Sequence, residues 1–316
     1  RDLRESAAAH NPITIDLATQ LYRFLYTRGY DAELRYDHAR LEQVAALSQR
    51  APVVFLPTHR SNLDHPSLHC MLWENGLPPN HTAGGINMNF FPIGPLVRRA
   101  GVFFIRRTFK DDEVYKLVLH HYIDYLIEKR FSLEWYIEGG RSRSGKLLPP
   151  KFGMLAYVVD AYRRGKSEDV FLIPVSIAYD QILELAEYVR QNLGDEKEAE
   201  SFVFLLRQIR AARARKLGRI HLRFAEPISL REYLDRSGDD RLVVEKLAFQ
   251  ISNQINAVTP ITPVSLACSI LLGAGKRALG EAEFRAQAAR LVDYAHERGI
   301  DVTQEVSAGA DSALRC

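Results

Sequence analysis

The apolar positions of this chain change period several times, and each change marks an element. Between Ile13 and Tyr30, Ile15, Leu17, Leu21, Leu25 and Tyr26 recur at helical spacing up to Gly29, and a second helix is expected from Asp37 to Ser48. Val53-Val54-Phe55-Leu56 is instead an unbroken apolar run, read as a buried strand, and Ser67 to Asn75 reads as a helix closed at Gly76. Ala83 to Val97 carries Gly84, Gly85, Pro92, Gly94 and Pro95 among Met88, Phe90, Phe91, Ile93 and Leu96, so it is expected as an apolar loop, folded over a core or facing something greasy.

The alternation then continues. Gly101 to Ile105, Leu133 to Ile137 and Val170 to Ala178 read as strands, the last with an awkward Pro174. Helices are expected over 111–129, with Val114, Leu117, Val118, Ile123, Leu126 and Ile127 on the buried side, and over 152–163. Ile220 to Phe224 is a further strand, and 242–291 is mostly helical with a break at Pro260 and Pro263. This rhythm predicts an α/β fold: a largely parallel mixed sheet covered by helices, with an N-terminal helical segment (1–50), an α/β domain (51–236) and a C-terminal helical subdomain (237–316).

Composition narrows the class without naming a chemistry. The 316 residues, 47% hydrophobic and 26% charged, suit a globular enzyme and exclude disorder. Cys70, Cys268 and Cys316 are too scattered for a disulfide framework, which favours a reducing compartment. No window has the apolar length of a membrane span; Val264 to Gly275 comes nearest and is too short. The opening at Arg1, with neither Met nor an apolar leader, is expected of a piece of something longer. Net charge is only +3, so the placement of positive charge matters more than its sum. Residues 202–219 hold Arg207, Arg210, Arg213, Arg215, Lys216 and Arg219 with no acid, beside Phe202, Phe204 and Leu205. That stretch is either a solvated helix face or an interfacial patch for anionic lipid or an acidic partner.

Two loops carry candidate chemistry. Thr58-His59-Arg60-Ser61-Asn62-Leu63-Asp64 follows the first strand, and a carboxylate five residues from an imidazole suits a general base held by an acid. No Ser or Cys beside it is marked as a nucleophile, so the attacking hydroxyl would belong to the substrate. The same spacing recurs at His296/Asp301, where Gly299 reads as a helix C-cap and His296 as a last-turn cation. Spacing alone therefore does not separate a base from a loop residue ahead of a cap at Asp64 or His65.

The second loop, Glu138-Gly139-Gly140-Arg141-Ser142-Arg143-Ser144-Gly145-Lys146, nearly imitates a nucleotide-binding loop but has Leu147 where Ser or Thr would hold magnesium. Nor is it a nucleophile elbow, since Gly140-Arg141-Ser142-Arg143-Ser144 lacks the closing Gly. What remains is a carboxylate, a flexible glycine pair, two arginines and serine hydroxyls, a set suited to a phosphorylated small substrate. Arg106-Arg107 leaves another strand end in the same half of the chain. No set of residues has metal-ligand spacing; His120 and His121 lie side by side on a helix.

Taken in order, these stretches resemble the four blocks of the glycerol-3-phosphate acyltransferases of the bacterial membrane-bound and mitochondrial type. They are His59 to Asp64 for the His-x4-Asp block, Gly101 to Arg107, Glu138 to Ser144, and Ile173-Pro174-Val175-Ser176. The resemblance implies transfer of a fatty acyl group from acyl-CoA or acyl carrier protein to the sn-1 hydroxyl of glycerol 3-phosphate. It assigns His59 as base and Asp64 as its orienting acid. Arg107, Glu138, Gly139, Arg141 and Ser144 would bind glycerol 3-phosphate, with Arg106 and Arg143 beside them, and Pro174 would shape the acyl-donor side. Glu138 would hold a glycerol hydroxyl or brace an arginine. It implies no cofactor beyond the thioester co-substrate, no metal and no nucleic acid. It also implies peripheral association with a membrane surface, the cytoplasmic face of a bacterial inner membrane. Two alternatives stay open: an acyltransferase for dihydroxyacetone phosphate or lysophosphatidic acid, and a non-catalytic lipid- or anion-binding module.

Overall fold

The central strand β1 (Val53–Pro57) divides its side chains between two cores: Val53 and Phe55 enter one, Val54 and Leu56 the other. A strand buried on both faces has no polar side to show, which is why its sequence reads as a continuous apolar run. The computed structural model describes residues 7–86, 89, 93–106, 112–194, 216–238, 240–309 and 311.

Around β1 lie β2 (His81–Gly85), β3 (Val102–Ile105), β4 (Leu133–Glu134), β5 (Phe171–Tyr179), β6 (Ile220–Phe224) and β7 (Ile228–Ser229). The order across the sheet is β3-β2-β4-β1-β5-β6, with β7 also on β5. The first five of these run parallel, and β6 and β7 pair antiparallel with β5. The fold is thus the expected helix-covered, largely parallel α/β sheet.

Pro174 ceases to be awkward in this register. Residues 171, 173, 175 and 177 of β5 turn their main chain toward β1, so Pro174 turns its own toward the antiparallel side. There it falls between the pairing with β7, which ends at Leu172, and that with β6, which begins at Val175. Its missing N–H is not needed, and its carbonyl still accepts from Ala225 at 2.9 Å.

One face of the sheet is covered by α1 (Pro12–Tyr26), α2 (His38–Ser48) and α3 (Asp64–Glu74). Asn11 caps α1 through Thr14 N–H at 3.0 Å, with Pro12 at its first position, and Asp37 caps α2 through Arg40 N–H at 3.1 Å. The helix α4 (Ile93–Arg99) precedes β3. The other face is covered by α5 (Glu113–Glu128) and α6 (Gly153–Arg163). The short α7 (Leu185–Asn192) follows β5, and α8 (Leu230–Ser237) follows β7. Of the stretch expected as a C-terminal subdomain, α9 (Val243–Ala257) sends Leu247, Ala248, Ile251 and Ile255 into the second core. Leu266 and Ile270 of α10 (Pro263–Gly273), Phe284 and Ala288 of α11 (Glu281–Glu297) and Val306 of α12 (Gln304–Ser307) form a smaller cluster. No helix among the described residues is long and apolar enough to cross a membrane.

Four local expectations need correction. The strand expected from Leu133 to Ile137 pairs only over Leu133–Glu134. α3 begins at Asp64, three residues before the expected Ser67, which puts the acid of the His-x4-Asp pattern in its first turn. Ala83 to Val97 is not all loop: it includes the end of β2 and the start of α4, where Gly94 and Pro95 sit in a first turn that asks nothing of the proline N–H. On α5, Val114 and Leu117 are exposed, and the buried side is Tyr115, Leu119, Tyr122, Ile123, Leu126 and Ile127. That helix is apolar on several sides, so a 3.6-residue period did not single out one of them.

Candidate active site

In a parallel sheet the loops leaving the carboxyl ends of the strands converge along one edge. Here those ends deliver His59 after β1, Arg106 after β3, the Glu138 loop after β4 and Tyr179 at the end of β5. Thr58 fixes the exit of β1: its Oγ1 accepts from Ile177 N–H at 2.9 Å.

The two halves of the His-x4-Asp pattern meet. His59 Nδ1 lies 3.0 Å from Asp64 Oδ2, which also accepts the N–H groups of Arg60 at 2.6 Å and Ser61 at 2.8 Å. Asp64 Oδ1 accepts the Tyr179 hydroxyl at 2.7 Å. Four donors on a fully buried carboxylate, itself at a helix N-terminus, suit a group that holds negative charge. With Nδ1–H donated to Asp64, the lone pair of the imidazole is on Nε2. The ring lies flat on Tyr136, centroids 3.8 Å apart and planes 14° from parallel.

The glycine-arginine loop is tied to the same histidine through its main chain. Ser142 N–H donates to His59 O at 2.8 Å, and Glu138 Oε1 accepts His59 N–H at 2.8 Å. Glu138 Oε2 accepts Leu148 N–H, also at 2.8 Å. Glu138 therefore braces the backbone, a role beside the two expected for it. Burial pushes its carboxyl above the usual range, against the pull of these two N–H groups.

A cleft of about 890 Å³ opens in front of His59, a size that suits a small substrate. Arg106, Gly139, Arg141 and Arg143 line it, and so does Lys151. Gly84, Gly85, Ile105, Trp135 and Met154 supply an apolar side. Arg106 donates to Asp112 Oδ2 at 2.9 Å with its guanidinium over the Tyr115 ring. Ser144 is exposed and does not line the cleft, and Pro174 stays inside β5. Arg107 and most of the basic stretch 202–219 lie outside the described residues. Among the described residues no group of His, Cys, Asp and Glu is placed to hold a metal ion.

Several supporting residues were missed. Glu184, 1% exposed, accepts Ser61 Oγ at 2.9 Å and Asn62 N–H at 2.8 Å. Tyr188 donates to Arg60 O at 2.8 Å. His65, which also lines the cleft, sets its Nδ1 3.0 Å from Glu134 Oε1. The aromatic two positions before Glu138 was visible as part of a strand, but nothing in the spacing marks Glu184 or Tyr179. As for His296/Asp301, Asp301 accepts from Arg223 Nε at 2.8 Å and Gly299 takes the left-handed φ of 63° that closes α11, a structural arrangement.

Two family models match the chain: Acyltransferase over residues 38–178, and Glycerol-3-phosphate acyltransferase C-terminal region over 188–315. Proteins of Mycobacterium bovis and Mycobacterium tuberculosis named as plsB1 acyltransferases are 38% identical over 99% of this chain and 50% of theirs. The glycerol-3-phosphate acyltransferase of Actinobacillus pleuropneumoniae is 35% identical over 88% of this chain and 35% of its own. The chain thus spans half, or about a third, of the length of these relatives. A solved structure, the 1-acyl-sn-glycerophosphate acyltransferase PlsC from Thermotoga maritima, aligns at 13% identity over 84% of this chain and 80% of that one, with a TM-score of 0.45. The first of the two family models covers β1 to β4, most of β5 and the loop that holds His59 and Asp64, so this part of the chain is an acyltransferase domain. The chain belongs to the glycerol-3-phosphate acyltransferase family.

Proposed function

We propose that this chain carries the activity of a glycerol-3-phosphate 1-O-acyltransferase, moving a fatty acyl group from acyl-CoA or acyl carrier protein to the sn-1 hydroxyl and giving lysophosphatidic acid, the first step of phospholipid synthesis. The observation that carries this reading is His59, bound to Asp64 at 3.0 Å and facing a cleft with three arginines. Ser61 also lines that cleft, but its hydroxyl donates to Glu184, so the nucleophile is the acceptor's own alcohol.

In this reaction His59 Nε2 takes the proton of the sn-1 hydroxyl as its oxygen attacks the thioester carbonyl, and Asp64 steadies the imidazolium. The tetrahedral intermediate collapses with cleavage of the C–S bond. A thiol of pKa about 8.5 leaves readily as thiolate and then takes the proton from His59, which restores the base. Arg141 and Arg143, with Arg106 on the same cleft, hold the phosphate through their guanidinium groups. Because donor and product are amphiphiles, the reading places the chain peripherally at a membrane surface, the cytoplasmic face of a bacterial inner membrane; flotation with anionic liposomes tests this, and no association at any salt removes it.

The test of the activity is product analysis with glycerol 3-phosphate, dihydroxyacetone phosphate and lysophosphatidic acid as acceptors, each with acyl-CoA and acyl carrier protein as donors. Acylation of glycerol 3-phosphate is expected, and its absence sinks the reading. In the same assay His59→Ala is expected to lower turnover by about 10²–10⁴-fold.

A further inference from the structure

The carboxylate of Asp64 is held asymmetrically. Oδ2 takes the imidazole and two N–H groups of its own loop, whereas Oδ1, among the described residues, has the single donor Tyr179, from another strand. A carboxylate is a two-fold rotor, and loop donors alone leave it free to rock about its axis. The Tyr179 hydroxyl, 2.7 Å away, gives the two oxygens different partners and pins the plane in which Oδ2 meets His59.

Tyr179 is itself held. Its ring, 8% exposed, packs against Tyr30 with centroids 5.5 Å apart. Tyr30 donates to Gln181 O at 2.7 Å and accepts Leu183 N–H at 3.1 Å, so it fixes the turn that leads from Tyr179 to Glu184. The segment after α1 thus reaches the dyad through two tyrosines. A phenol donating to a carboxylate also draws charge from it, which weakens its support for a protonated imidazole. Position and charge are set by one hydroxyl.

We propose that Tyr179 is a positioning residue for acyl transfer, fixing the orientation of Asp64 and limiting the basicity that Asp64 lends to His59. The proposal rests on His59 being the base. The other charged groups around the pair include Glu138 on the loop after β4, Glu184 ahead of α7, Arg60 and Arg141, and His59 shares its cleft with His65, Arg106, Arg143, Lys151 and Glu187. The buried phenols of Tyr30, Tyr136 and Tyr188 face it too, and burial keeps each well above the usual tyrosine range, as it does Tyr179.

The experiment is Tyr179→Phe, which keeps the ring and removes the donor. The pH dependence of kcat/KM is measured beside an NMR titration of the His59 imidazole without substrate. Turnover is expected to fall by about tenfold, and the acidic limb and the imidazole midpoint to move to higher pH by about half a unit or more. In an Asp64→Asn background, Tyr179→Phe should cost nothing further. An unmoved midpoint, or an equal loss on top of Asp64→Asn, overturns the proposal, because a merely structural tyrosine gives those results. The titration needs no acyl transfer, so it stands even where the reading of the reaction fails. If Tyr179→Phe lowers the melting temperature too far for assay, Tyr30→Phe is titrated instead, with a smaller shift in the same direction expected and no shift counting against the proposal.

Discussion

Glu138 accepts the main-chain N–H of His59 at 2.8 Å through Oε1 and that of Leu148 at 2.8 Å through Oε2, so one buried side chain ties the histidine loop to the glycine-arginine loop. Both bonds need an acceptor. Glu138→Gln presents an amide NH2 to one of the two N–H groups, and that clash of donors costs about 1–3 kcal/mol. Turnover should fall by tenfold or more with the KM for the acceptor near its wild-type value, measured by steady-state kinetics. A raised KM with unchanged kcat would instead make Glu138 a substrate contact.

Glu184→Gln should behave differently, although Glu184 is as deeply buried. Its two oxygens face Ser61 Oγ and Asn62 N–H, and a hydroxyl accepts as well as donates. The glutamine oxygen can keep Asn62 while its NH2 donates to Ser61, so no donor is left facing a donor. Activity within a few-fold of wild type is expected at neutral pH. A loss as large as that of Glu138→Gln would show that the charge of Glu184, not its shape, holds the loop.

Acid should disarm the site before it unfolds the protein. Burial raises both Glu138 and Glu184 above the ordinary value of 4.5. The sign follows: the folded state takes up these protons more readily than the unfolded chain, so their contribution to stability is largest at low pH and is lost as pH rises through the raised values. Acidification therefore does not unfold the chain through them. Protonation of Glu138 does turn one of its two oxygens into a donor, so His59 N–H or Leu148 N–H loses its acceptor, and reversible loss of activity is expected above the ordinary carboxylate range while circular dichroism is unchanged. Coincident loss of both signals would contradict this.

These carboxylates also show where sequence stops being readable. His59 and Asp64 were legible because one loop after one strand holds both. Tyr179 and Glu184 lie 115 and 123 residues from their partners, and only the placement of β5 beside β1 brings them in. Glu138 was visible, but which donors reach it depends on the path of two loops. The α/β rhythm was legible wherever a strand was buried on both faces, as in β1 and β5. It failed for α5, where Val114 and Leu117 are apolar and exposed, because periodicity reports amphipathy and not which apolar side meets the sheet.

Cysteine reactivity offers a check on the first core that is independent of catalysis. Cys70 on α3 is fully buried, and burial pushes its thiol up to about 12. Cys268 on α10 is exposed. Iodoacetamide should label Cys268 in the native protein and reach Cys70 only after denaturation, as peptide mapping by mass spectrometry would show. Native labelling of Cys70 would mean that α3, and with it Asp64, opens readily.

Gly139 has a φ of 68°, and a Cβ built there would lie 2.8 Å from Lys151 Cγ. The absence of a side chain thus serves two needs: the left-handed turn after Glu138, and the passage of the Lys151 stem toward the cleft. Gly139→Ala meets both costs, backbone strain of about 1–2 kcal/mol and a clash that displaces the lysine. Thermal melting should fall, and the KM for glycerol 3-phosphate should rise as a cation leaves its place. Adding Lys151→Ala removes Cγ, so in Gly139→Ala/Lys151→Ala the clash is relieved and only the strain remains. The double variant should then melt above Gly139→Ala and still bind the acceptor weakly. If Lys151→Ala alone leaves KM unchanged, the lysine is not part of the anion site and Gly139 answers to the turn alone.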